Sequence, residues 1–392
     1  MSRDDDRLII TGGKLVLGDA IATRKALVIE HGVITDIVDQ RKAPRGAVLD
    51  ADGNYVAPGF IDLHTHGSFG VDLTEATSSE VARLQERLPE TGVTAFLATV
   101  AGIARDRMGD VVEKLQSARD KRTAGAQILG VHLEGPYLNP ARRGMMPTDL
   151  LATFDPSQRD LLDCVKPPAT MTLAPELEGA TLLIDELNQR GIVASGGHSE
   201  ATFEQTAEAV KRGLKHITHL FNAMPPPHHR APNIVTAALV LEELTAELIV
   251  DGHHVAPPVV ALVNKAKGAD RIVLVTDASA AAGMPDGEYV LGDVSITVRD
   301  GISRTADGVL AGSTLTLNRA VKNFMAFTGV DITQAIRTVT LNPARVLGIE
   351  NKKGELAPGF DADLTIFDAD LTIFATIVAG KCVWKSPSIS SP

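Results

Sequence analysis

The chain has 392 residues, 44% of them hydrophobic and 22% charged, with a net charge of −11. That length carries a large barrel domain with a smaller companion, and the acidic balance argues against nonspecific binding to nucleic acid or anionic lipid. The two cysteines, Cys164 and Cys382, are far apart and match no zinc-site spacing, which speaks against a disulfide framework.

The N-terminus, residues 1–7, is acidic and lacks the apolar core of a signal peptide. No stretch is apolar enough to span a bilayer, so a cytoplasmic protein is expected. Residues 8–10, 14–17 and 26–29 are runs of branched apolar residues, and the turn Glu30-His31-Gly32 leads into 33–38. This spacing predicts a small antiparallel sheet. From Pro58 onward, apolar strands alternate with helical stretches, the pattern of a parallel α/β unit. Strands are predicted at 60–64, 94–99, 128–133, 171–173, 192–195, 216–219, 247–250 and 272–276. Helices are predicted at 78–88, 107–118, 180–189, 201–212 and 315–328. About eight such strands predict a (β/α)8 barrel. Strands return after Leu347, at 362–367, 371–378 and 381–384, and Leu-Thr-Ile-Phe occurs at both 364–367 and 371–374. Two copies are too few for a solenoid and read as neighbouring strands. The expected α/β architecture is a TIM-like barrel over 58–347 and a small β-sandwich built from both termini, 1–57 and 348–385. A disordered tail is expected over 386–392.

The chemistry concentrates at the ends of the predicted barrel strands. His64 and His66 are two residues apart, so on a strand they point the same way and can hold one metal ion. Glu134, His198, His219 and Asp277 each stand at or just after a further strand. Taken singly, Glu134 also reads as a turn cap, His198 as an exposed loop histidine and Asp277 as a helix N-cap. Barrel active sites lie at the C-terminal strand ends, so their joint placement points to a metal site, with Asp277 as general base. His216, three residues before His219, is expected to face away from the barrel interior. His132 shares the inward parity of Glu134 one layer deeper and is expected to support the ligands. His31 belongs to the hairpin turn.

Several motifs together carry a resemblance. They are Pro58-Gly-Phe-Ile-Asp-Leu-His-Thr-His66, His132-Leu-Glu-Gly-Pro-Tyr-Leu-Asn139, Gly197-His-Ser199, Thr218-His-Leu-Phe-Asn-Ala-Met224, Asp251-Gly-His-His254, Leu274-Val-Thr-Asp-Ala278 and Leu310-Ala-Gly-Ser313. In this order they resemble the amidohydrolase superfamily and, within it, the N-acetylglucosamine-6-phosphate deacetylases. The resemblance implies hydrolysis of the acetamide of a sugar phosphate in amino-sugar catabolism and cell-wall recycling. Glu134, His198 and His219 would bind the family's metal. His64 and His66 match members with a second metal, Glu134 would bridge, and Asp277 would be the acid/base and touch a metal. The ions would be divalent, two per subunit, with zinc first and iron, manganese or cobalt as alternatives.

For substrate, the resemblance assigns Asn222, Ala223, Arg230, Asp251 and His254 to the sugar phosphate and Leu310, Ala311 and Gly312 to backbone contacts. Arg230 would serve the neighbouring subunit of a homodimer. One departure stands out: Met145 and Met146 follow Gly144, where the family has a small residue and a substrate-contacting histidine. Methionine donates no hydrogen bond, so Met146 is expected to lower activity on the usual substrate, with Met146→His as the test. Rival readings are an amidohydrolase for another N-acylated amino sugar or N-acyl amino acid, and a barrel that has lost its chemistry. Lysine-bridged relatives are disfavoured because the third strand ends in Glu134 followed by Gly-Pro, and the retained ligands speak against a non-catalytic scaffold.

Overall fold

The structure is a computed structural model, and it describes residues 7–387 apart from 122 and 158. The tail expected from 386 lies, from 388 on, outside the described residues, as do acidic residues 1–6. Eight parallel strands form one sheet in chain order: Phe60–Thr65, Val93–Val100, Gln127–Glu134, Thr170–Leu173, Val193–Gly196, His216–Ile217, Thr245–Leu248 and Ile272–Leu274. They are called strands one to eight below. Their residues are almost uniformly buried, because a barrel covers a parallel sheet on both faces. Chain just past strand eight closes the ring, through a parallel bridge between Thr65 and Ala278 and an Asp277 N–H bond of 2.8 Å to His64 O. Asp62 staples the same seam from within, accepting from Thr276 Oγ1 at 2.6 Å. All eight predicted strands are present, with ends shifted by a few residues.

Helices ring the barrel, and their starts follow from local chemistry. Ser78–Arg87 begins with a capping box between Thr77 and Glu80, and Phe203–Lys211 with one between Thr202 and Gln205. Ala180–Gln189 matches its predicted span, and Leu317–Thr328 buries Leu317, Ala320, Val321 and Phe324 at helical spacing. No helix among the described residues is long and apolar enough to cross a membrane.

The terminal segments interleave. One sheet runs Val33–Asp39, Lys25–Glu30, Arg7–Thr11, Ala47–Asp50. A second runs Lys381–Lys385, Ile373–Val378, Leu364–Phe367, Tyr55–Pro58, Lys14–Leu17, Ala20–Ala22. Ile10, Leu27 and Ile34 from the first sheet and Leu15, Val56, Leu364 and Ile377 from the second share one apolar cluster, which makes the pair a sandwich. The single antiparallel sheet expected for the N-terminal strands is thus corrected. There are two sheets, and Arg7–Thr11 pairs parallel with Ala47–Asp50, as Lys14–Leu17 does with Tyr55–Pro58. The repeated Leu-Thr-Ile-Phe segments do feed adjacent antiparallel strands. Phe367 packs at a tilt against Phe60, with ring centroids 5.9 Å apart and planes at 52°, which ties the sandwich to the barrel core. Both cysteines are free.

A three-stranded antiparallel sheet, Gly287–Leu291, Val294–Arg299 and Ile302–Arg304, follows strand eight. It packs over the loop after strand three: Met145 lies against Leu291, Ile296 and Ala311. A cavity of about 340 Å³ opens between that loop and the sheet, lined by Arg143, Gly144, Met145, Val294, Thr305 and Val309 among others.

Candidate metal centre

Strand geometry brings six side chains together. His64 lies near the end of strand one with His66 just beyond it, and Glu134 ends strand three. His198, His219 and Asp277 follow strands five, six and eight, with φ values of 48°, 26° and 47°. Non-glycine residues in this left-handed region cost about 1–3 kcal/mol each, so the surroundings must hold them. The restraints are visible. His219 N–H donates to Glu247 Oε2 at 3.1 Å. Ser313 N–H donates to Asp277 O at 2.7 Å, and Asn139 N–H donates to His198 O at 2.9 Å.

Glu134 sits at the middle. Its Oε1 is 2.9 Å from His219 Nε2, 3.1 Å from His198 Nε2 and 3.7 Å from His64 Nε2. Its Oε2 is 3.4 Å from His66 Nε2. The Nε2 atoms of His64 and His66 are 3.3 Å apart, and those of His198 and His219 are 3.1 Å apart. Asp277 Oδ1 lies 3.0 Å from His66 Nε2 and 3.4 Å from His64 Nε2. Two overlapping triads result, His64–His66–Glu134 and Glu134–His198–His219, all buried.

This donor set fits a divalent cation. Bonds of about 2.0–2.1 Å around a tetrahedral ion place neighbouring ligand atoms about 3.3 Å apart, which is the spacing seen here. The ring orientations agree. His198 Nδ1 is 2.9 Å from Arg142 O, and a carbonyl only accepts, so Nδ1 is the donor and Nε2 faces the cluster. His64 Nδ1 likewise faces an acceptor, Glu247 Oε2 at 3.1 Å, which aims its Nε2 at the cluster. Electrostatics point the same way. Burial opposes a charge on His64, but Asp277, Glu134 and Glu247 outweigh it and raise its pKa to about 10. The pocket therefore favours positive charge at its centre.

The layer beneath the ligands was only partly foreseen. Glu247 falls inside a predicted strand, and nothing in the sequence around it assigns it a role. Burial opposes its ionisation, yet hydrogen bonds from His216 and His64 hold it well below the usual carboxylate range. His216 does not face away as expected: it points inward, with Nε2 3.1 Å from Glu247 Oε1. Strand six has two residues, so alternation counted along a longer strand gives the wrong side. His132 lies deeper, as expected, edge-on to His64 at 4.4 Å between centroids and 2.8 Å from Thr172 Oγ1. Burial keeps it neutral, with its pKa lowered to about 3.

The other predicted residues divide by location. Ala311 is buried, and Gly312 runs beside the Asp277 backbone in the segment that starts at Leu310. Gly144 approaches the His198 ring, and Ala223 stands by both, its carbonyl accepting from Ser199 N–H at 3.3 Å. Asn222 is half-buried and bonds His219 O at 3.2 Å. Asp251 Oδ2 accepts from His254 Nδ1 at 2.6 Å beyond strand seven. Arg230 is exposed on a proline-rich loop, its Nη1 2.9 Å from His229 Nε2. Met146 is buried among Ala101, Leu138 and Leu151.

The chain has relatives among known proteins over nearly its whole length. Residues 55–384 match the amidohydrolase family. The chain is 35% identical over 394 residues to the N-acetylglucosamine-6-phosphate deacetylase of Bacillus subtilis (strain 168), covering 97% of this chain and 98% of that one. It is 37% identical over 315 residues to the N-acetylgalactosamine-6-phosphate deacetylase of Escherichia coli O157:H7, covering 80% and 83%. Among solved structures, an aspartate-to-alanine variant of N-acetyl-D-glucosamine-6-phosphate deacetylase from Mycobacterium smegmatis, in complex with N-acetyl-D-glucosamine-6-phosphate, superposes with a TM-score of 0.89. It is 33% identical, and the match covers 96% of this chain and 99% of that one. The chain belongs to the amidohydrolase family and, within it, groups with the N-acetylglucosamine-6-phosphate deacetylases.

Proposed function

We propose that this protein is a metal-dependent hydrolase that converts N-acetyl-D-glucosamine 6-phosphate to D-glucosamine 6-phosphate and acetate. One observation carries the reading. Glu134 lies within 3.7 Å of four imidazole nitrogens beside Asp277, in a chain 35% identical over 97% of its length to a protein named for this reaction. His64, His66 and Glu134 would hold one ion, Glu134, His198 and His219 a second, and zinc is the ion we assign. A bound divalent ion supplies Lewis acidity toward the acetamide carbonyl and lowers the pKa of water.

The chain's own groups do the rest. Asp277 accepts the proton of the attacking water and returns it to the departing amine. The backbone at 310–312, next to Asp277, aligns the sugar. His254, oriented by Asp251, and Asn222 bind its polar groups, and Arg230 forks onto the phosphate of the neighbouring subunit's substrate. Homodimer and cytoplasmic location belong to the same reading. The test is acetate release from protein reconstituted with zinc, with N-acetylglucosamine as the unphosphorylated control. Fast release from the phosphate ester alone supports the reading, and no release with metal bound overturns it. The 37% identity to a galactosamine-type enzyme favours running the C4 epimer in the same assay.

Arg230 supplies a separate expectation. Charge-assisted hydrogen bonds are worth about 1.5–3 kcal/mol, so Arg230→Ala should raise KM for the phosphate ester roughly 10- to 100-fold. Arg230 is exposed in the subunit, so thermal stability should stay constant. An unchanged KM would remove Arg230 from the substrate site.

A further inference from the structure

Glu247 occupies an unusual position. It lies on strand seven, is 2% exposed, and none of its carboxylate contacts reaches the metal cluster's central face. Its Oε2 is 3.1 Å from His64 Nδ1 and also 3.1 Å from the His219 backbone nitrogen. Its Oε1 is 3.1 Å from His216 Nε2, and its backbone oxygen accepts from Leu220 N–H at 2.9 Å. One carboxylate oxygen therefore touches a member of each histidine pair. It accepts from His64 Nδ1–H, which commits His64 Nε2 to the cluster side, and it restrains the backbone that holds His219 at φ 26°.

We infer that Glu247 is a positioning residue that sets both halves of the metal centre through a single oxygen, by fixing the His64 tautomer and the His219 backbone. This rests on the metal part of the proposed function and not on the identity of the substrate. Reach, rather than charge, is the property that matters, and two substitutions separate them. Glu247→Asp keeps the charge but draws the oxygens back by about 1.5 Å, one carbon–carbon bond, out of range of both donors. Glu247→Gln keeps the reach. Its amide oxygen stays on His64 and His219, and its NH2 turns to His216 Nε2, which accepts once the ring proton moves to Nδ1, 2.6 Å from Thr245 Oγ1.

The experiment is zinc affinity by competition with a chromophoric chelator, on folded wild-type and variant proteins without substrate. Outer-layer partners of metal ligands are worth about 10- to 100-fold in affinity, so Glu247→Asp is expected to weaken zinc binding by that factor and Glu247→Gln by less. Excess zinc is then expected to restore much of the Glu247→Asp turnover with KM unmoved, which a merely structural defect would not allow. A greater loss in Glu247→Gln than in Glu247→Asp would overturn the inference in favour of charge. Wild-type affinity in both variants would overturn it as well. If the wild-type protein takes up no divalent ion, the metal reading itself falls; if it does and the variants match it, only the role of Glu247 falls.

Discussion

Asp277→Asn is expected to lower acetate release by about 10²- to 10⁴-fold while the protein keeps its metal, the range typical of losing a positioned proton carrier. The argument starts from place. Asp277 follows strand eight, and its Oδ1 stands 3.0 Å from His66 Nε2 and 3.4 Å from His64 Nε2. Burial pushes its pKa up, but the neighbouring His64 and His66 outweigh that and keep it below the ordinary value, so at neutral pH it is ready to take a proton. Asparagine preserves the shape and an oxygen toward the cluster, but its amide is not basic enough to take up a proton and return it. Metal content measured alongside turnover separates the roles. A loss below tenfold would remove Asp277 as the acid/base, and loss of metal in step with activity would make it a ligand instead. The acid limb of the rate–pH profile should vanish in the variant.

Much of this site was legible because barrel physics makes strand ends informative. Apolar runs mark the eight strands, and metal-capable side chains at or just past the ends of five of them mark the active face. His64, His66 and Glu134 were found this way. What stayed hidden depends on tertiary detail. Glu247 lies inside a strand, where a carboxylate has no pattern to announce that its partners come from strands one and six. His216 was placed on the wrong side because strand six ends after Ile217 and the chain turns at His219. The parallel pairings in the terminal sandwich join strands distant in sequence, and no local signal specifies them. The small sheet over the mouth is different. Its strands alternate between buried and exposed residues, and Gly292-Asp293 and Asp300-Gly301 mark its turns. The strong βα rhythm before it draws attention away from that signature.

The largest effect is expected at Glu134. Glu134→Ala should strip metal from both triads and reduce acetate release to background. Glu134 is the only side chain common to the two triads, and its oxygens lie within 3.7 Å of four imidazole nitrogens, two from each histidine pair. Without it, the His198 and His219 Nε2 atoms, 3.1 Å apart, lose the carboxylate between them, and His64 and His66, 3.3 Å apart, keep only Asp277 as a shared anion. Neutral imidazoles then relax toward shared hydrogen bonds, and a dication binding between them carries a larger uncompensated charge in a low-dielectric interior. His66→Gln is the contrast. It damages one triad and leaves Glu134, His198 and His219 intact, so half the metal and a residual rate should remain. Elemental analysis of dialysed proteins decides the matter: metal retained in Glu134→Ala at the level found in His66→Gln would mean that the two triads do not share a bridge.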